Sequence, residues 1–192
     1  NYATAYHWYG ESLVLLGRFD DGLLKYRKAA ELDPFSLAIA NDYGISLFYA
    51  RRFDESIDHL KKLVDQDPTY YRNHVYLASV YEKMGRYEDA LEERVKGATL
   101  SGASREEIEK REAEVLSALK SEGPKGYWRV FLDSFLERRT IAKSSNDDYF
   151  RMAECYSHLG QKDKAFEAMD QGMRATGNFP DNIKVSPQWD DL

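Results

Sequence analysis

The sequence predicts an all-α chain built from stacked antiparallel helix pairs. Three observations carry that expectation. First, "LGRFDDGLLKYRKAAELDP" at residues 16–34 is matched by "YARRFDESIDHLKKLVDQDP" ending at Pro68 and by "MGRYEDALEERVKGATL" from Met84, a step of 34 residues each time. Second, small residues return in fixed columns: Gly10, Gly44 and Ala78 in one, Gly22, Ser56 and Ala90 in another. Third, the 192 residues include only 5 prolines and 12 glycines, with 43% hydrophobic residues, a composition that suits helices better than a sandwich or barrel.

Each pair follows from local signals. In the first, residues 3–36, Gly10 lies in the middle of one helix and Gly22 early in the next. Paired small residues let two helices cross closely while bulky neighbours fill the flanks. A glycine inside a helix costs about 1 kcal/mol against alanine, so its return in one column favours a packing role. Phe19 opens the second helix, and Asp33-Pro34 ends it, because the residue before proline is pushed out of helical conformation. The second pair, residues 37–70, repeats the plan with Gly44, Ser56, Phe53 and Asp67-Pro68. Where Gly17 and Gly85 occupy equivalent turns, this pair has Arg51. The third, residues 71–103, keeps Ala78, Ala90 and Tyr87 but departs later: Arg94 and Gly97 stand at apolar positions, and Ser101-Gly102 replaces Asp-Pro.

The fourth pair, residues 104–145, is longer and degenerate. Ser104 and Glu107 form a capping box for its first helix, and "EGPKG" breaks it. A second helix then carries Trp128, Phe131, Leu132, Phe135 and Leu136 on one face. The fifth pair, residues 146–177, returns to the pattern with Tyr149, Met152, Ala153, Tyr156, Gly160, Ala165 and Met169, and Ala153 and Ala165 keep the small-residue spacing. Residues 178–192 leave it as a C-terminal extension.

These columns resemble the tetratricopeptide repeat family, whose unit is a helix–turn–helix of this length. The resemblance implies a right-handed superhelical solenoid of about five helix pairs forming a single array over residues 1–192. It also implies apolar or aromatic packing positions at Tyr6, Tyr9 and Leu13, at Ala40, Tyr43 and Leu47, and at His74, Leu77 and Tyr81. The two ends further resemble the repeat-containing C-terminal regions of bacterial winged-helix transcriptional regulators and membrane-anchored Ser/Thr kinases. That implies a regulatory fragment of a longer bacterial protein, cytoplasmic or, where the parent is membrane-anchored, extracytoplasmic.

Composition excludes several functions. A net charge of −6 without basic clusters argues against nucleic acid, which draws affinity from phosphate neutralisation. The single cysteine, Cys155, permits neither an internal disulfide nor a CxxC metal site. No apolar run is long enough to span a membrane, so no membrane contact is expected of this segment. Phosphate-loop, HExxH and GxSxG patterns are absent. His7 and Glu11 share a helix face, but two ligands are too few for a closed metal site. The expectation is a non-catalytic chain with neither cofactor nor metal.

Function then falls to the inner wall of the array, where the family resemblance places Thr4, His7, Glu11, Val14 and Leu15, then Ala38, Asn41, Ile45, Phe48 and Tyr49, then Arg72, Val75, Ser79, Glu82 and Lys83. A protein or peptide is the expected partner, received by His7, Glu11, Asn41, Ile45, Phe48, Tyr49, Arg72, Val75 and Ser79. Asn41 would bond a partner's backbone amide, and Phe48 and Tyr49 would either anchor a partner or pack on the next helix. Glu11 opposes a carboxylate-clamp reading. The alternatives are self-association, with end repeats forming a homodimer through Tyr2, Tyr6 and Trp8, and a small-ligand sensor using the groove or the pair around Trp128.

Overall fold

Helix boundaries fall where the repeat columns place them. A computed structural model of the chain describes residues 2–140, 146–177, 181–190 and 192. Among them are ten α-helices and no strand: α1 Tyr2–Leu15, α2 Phe19–Leu32, α3 Leu37–Tyr49, α4 Phe53–Gln66, α5 Tyr71–Lys83, α6 Tyr87–Leu100, α7 Arg105–Glu122, α8 Pro124–Thr140, α9 Asn146–His158 and α10 Lys162–Thr176. A 3-10 turn, Pro187–Trp189, follows. The expected boundary near residue 145 and the start of the extension at 178 lie outside the described residues.

Phe19, Phe53 and Tyr87 are the first residues of α2, α4 and α6. Phe19 packs on the core cluster of Ala3, Val14, Tyr26, Ala29 and Ile39, and the Phe53 ring lies 5.9 Å from that of Phe48. Asp33 and Asp67, each before a proline, leave the helix at φ −142 and −136 while still donating their N–H groups to Ala29 and Leu63. Ser36 caps α3 by accepting from the Ile39 amide.

The small-residue columns are the crossing points. A Cβ on Gly22 would come within 2.6 Å of a Val14 methyl and 2.8 Å of the Gly10 carbonyl oxygen. In the second hairpin Ser56 uses the same place for a bond, its hydroxyl donating to the Gly44 carbonyl at 2.8 Å. Ala78, Ala90, Ala153 and Ala165 are fully buried in the third and fifth.

The turn column explains the glycines within hairpins and marks one exception. Gly17, Gly85 and Gly160 adopt φ of 78, 72 and 73, and Arg51 adopts the same left-handed conformation at φ 60. A side chain there costs roughly 1 kcal/mol. Arg51 therefore holds a position where glycine would be easier.

The chain divides into two compact units, one of Asn1–Ser104 with Lys184–Pro187 and the other of Arg105–Ile183 with Gln188–Leu192. In the first unit the pairs α1/α2, α3/α4 and α5/α6 form hairpins, and α1 touches α3 as α3 touches α5, so the first helices share one side. In the second unit α7 pairs with α8, α8 with α9 and α9 with α10. The α7–α8 turn is tighter than expected: Gly123 alone turns at φ 64, and Pro124 starts α8, where its missing N–H leaves no helical bond unmade. Trp128 is buried and stacks on His158 with ring centroids 4.0 Å apart.

Packing expectations are corrected at three positions. Val14, expected on the inner wall, is 2% exposed and belongs to the core cluster with Tyr26 and Ile39. Tyr9, expected at a packing position, is 51% exposed, with the Lys25 ammonium 5.3 Å from its ring centroid. Glu82, expected on the inner wall, is 3% exposed and takes a bidentate pair from Arg94 at 2.7 Å for both bonds. The departure at Arg94 is thus the complement of a buried acid on α5.

One pH response follows from α4. The His59 ring bonds the Ala40 carbonyl oxygen through Nε2 at 2.8 Å, and burial holds its pKa below the ordinary value. The folded chain keeps this imidazole neutral while the unfolded chain takes up a proton near about pH 6.5. Stability from this residue is therefore constant above that pH and falls as pH drops toward the lower folded pKa. Urea unfolding at about pH 7.5 and about pH 5.5 should show a loss that His59→Gln reduces; an identical loss in both proteins would contradict it.

Candidate functional site

The side shared by α1, α3 and α5 collects polar groups that single helices would leave apart. His7 on α1 meets Asp42 on α3 through Nε2 and Oδ2 at 2.7 Å. The His7 ring also lies 5.5 Å from that of Tyr26, tilted by 54°. Tyr26 comes from α2, shares a hydrogen bond with Ser46, and lies in the field of Asp42, Glu11 and Tyr49. Burial above all, then the Asp42 and Glu11 carboxylates, pushes its phenol above the ordinary range and keeps it neutral.

The strip continues onto α5. Burial raises the pKa of the Tyr76 phenol, which bonds Arg72 and also feels Asp42. Hydrogen bonds to Tyr71 and Tyr76 raise the Arg72 guanidinium further. The order His7, Asp42, Tyr76, Arg72 thus runs across three first helices, acidic near α1 and α3 and basic on α5.

Asn41 on α3 is 8% exposed, and its Oδ1 has no hydrogen-bond partner in the protein. A buried amide oxygen left unpaired costs about 1–3 kcal/mol, so it needs an explanation. Ile45, Tyr49, Val75 and Ser79 are part-buried, with Ser79 donating to the Val75 carbonyl, while Glu11 and Arg72 are exposed. Phe48 is different: at 3% exposure it packs on Phe53 and Tyr49, so its ring belongs to the core and is not presented outward.

Sequence reasoning missed Asp42 and Tyr76. The 35-residue separation of His7 and Asp42, one more than the repeat, held a faint signal, since neighbouring first helices are offset by about one repeat. Tyr76 left a local signal in its spacing, four residues after its partner Arg72 on the same helix, while the influence of Asp42 could not be read from it.

No group of three or more His, Cys, Asp or Glu able to hold a metal ion occurs among the described residues. His7 has Asp42 as its hydrogen-bonding partner. His74 is buried and pairs through Nδ1 with Glu93 at 2.6 Å, and Cys155 is buried. No described helix is long and apolar enough to cross a membrane.

Comparisons with known proteins agree with the repeat. Family models for the tetratricopeptide repeat match residues 47–93 and 149–171. The TPR repeat-containing protein YpiA of Bacillus subtilis is 35% identical over 81 residues, 42% of this chain and 19% of that protein. The inactive TPR repeat-containing thioredoxin TTL3 of Arabidopsis thaliana is 31% identical over 81 residues, 42% of this chain and 12% of that protein. The match thus spans less than a fifth of each of those relatives. Among solved structures, a thermophilic TPR protein of Thermus thermophilus superposes with a TM-score of 0.55 at 15% identity, over 92% of each chain. The MamA protein does so with a TM-score of 0.51 at 17% identity, over 90% of each. These likenesses establish the fold.

Proposed function

This chain carries tetratricopeptide repeats, and on that premise we propose that it is a non-catalytic protein-interaction module that receives a peptide or partner segment on the inner side of α1, α3 and α5. The observation that carries the reading is Asn41. Its Oδ1 has no partner and is closed to solvent in the free chain, but the side chain is 8% exposed, so turning the amide as a segment is laid along α3 lets that oxygen accept a backbone N–H and removes the cost of leaving it unsatisfied. Ile45 and Tyr49, on the same helix, supply part-buried apolar contact beside it.

Charge selects among segments. Glu11 and Asp42 repel a carboxylate near α1 and favour a basic side chain there, while Arg72 favours an acidic one toward α5. The resemblance of the two ends to regulator and kinase sequences supports placing the module in the regulatory part of a longer bacterial protein.

The test compares the parent chain with an Asn41→Ala/Tyr49→Ala variant whose helical circular dichroism is unchanged, each used to capture partners from source-cell lysate. A protein retained by the parent and reduced at least about tenfold by the variant, roughly 1.4 kcal/mol, is the expected result. Equal retention by both would place the site elsewhere.

A further inference from the structure

Arg51 is the one non-glycine residue with positive φ among the described residues, and it occupies a turn position that other hairpins give to Gly17, Gly85 and Gly160. A strained backbone persists where something else in the structure requires the side chain. Here the requirement is visible. The Arg51 Nη1 donates to two carbonyl oxygens, that of Tyr49 at 2.5 Å and that of Val185 at 2.6 Å. The second bond joins residues 134 apart in sequence.

A second observation concerns the far side of that bond. Lys184–Pro187 packs as part of the first unit although the residues flanking it belong to the other. Within it Val185, Ser186 and Pro187 are all buried. Three consecutive buried residues in a turn-rich segment outside the repeat pattern form a docked element, and a charged donor on a carbonyl oxygen is a strong way to hold one.

We propose that the turn between α3 and α4 is a docking site for the chain's own Lys184–Pro187 segment, with Arg51 as its clasp, so that the segment forms an intramolecular latch beside Tyr49. The guanidinium bridges the last turn of α3 and the latch, which is why the turn carries arginine despite the strain. A glycine would ease the turn and leave the Val185 carbonyl without this donor. Because Tyr49 ends α3, the latch sets access to that end of the inner strip. That consequence rests on the partner-groove reading; the latch does not.

Hydrogen exchange on the full chain, read by mass spectrometry, tests the latch without any partner. Arg51→Gly removes the clasp and relieves the turn, so failure to fold is not the expected confounder. Arg51→Asn keeps a residue that tolerates the left-handed conformation but is too short to reach Val185. In both variants, amides from Lys184 to Trp189 should exchange at least tenfold faster than in the parent, while amides of α3 and α4 keep their rates. Parent-like protection of that segment in both variants would overturn the proposal, as would its being unprotected in the parent.

Discussion

Replacing Gly126 by alanine is expected to destabilise the second unit by about 3 kcal/mol, the upper end of what overpacking commonly costs. A Cβ at this position would come within 2.2 Å of the Ala118 carbonyl oxygen and 2.6 Å of its carbon. Both are backbone atoms of α7, so no side chain can swing aside, and α8 must move away from α7. That movement would loosen Tyr127 and Trp128, the buried residues that follow. At roughly 2–4 °C per kcal/mol for a chain of this size, the melting temperature should fall by about 6–12 °C. Thermal unfolding followed by the near-ultraviolet signal of the tryptophans reads it. A shift smaller than about 2 °C would show that α7 and α8 can separate at little cost.

The second large effect is expected at Arg94. Its guanidinium makes a two-bond pair with the buried Glu82 carboxylate, and Arg94→Leu removes that partner while the acid stays buried. Breaking a buried pair from one side costs about 3 kcal/mol, whereas replacing both members with apolar groups is often close to neutral. Glu82→Leu/Arg94→Leu should therefore recover most of what Arg94→Leu loses. Urea unfolding of the parent, both single variants and the double variant gives the coupling directly. Additive losses, with coupling under about 0.5 kcal/mol, would show that the pair carries no special energy.

These two effects separate what could be read in the sequence from what could not. The hairpins were legible because each is specified locally. An Asp-Pro pair ends a helix whatever surrounds it, an aromatic opens the next, and paired small residues mark a crossing by their spacing alone. Gly22 and Ser56 illustrate this: a close approach in one hairpin and a hydroxyl-to-carbonyl bond in the other occupy one column. Glu82 and Arg94 were visible only as separate irregularities, since their meaning lies in the distance between two helices.

The candidate site was legible to a smaller degree. Family resemblance supplied the helices and pointed to Asn41, but it could not supply the environment of each side chain. Phe48 turns into the core because Phe53 waits beside it. Asp42 gains a role because His7 and Tyr76 approach from neighbouring helices. Arg51 stood out as an exception in a glycine column, but its reason lies 134 residues further along the chain. Such contacts depend on where the folded backbone brings distant segments, and no local period records them.

The most direct measurement is an amide chemical-shift map of the full chain, titrated with a peptide selected against it from a displayed random library. Perturbations are expected to concentrate at Glu11, Asn41, Ile45, Tyr49, Arg72 and Val75, with the Asn41 side-chain amide among the largest. Perturbations confined to the outer helices α2, α4 and α6, or to the second unit, would contradict it.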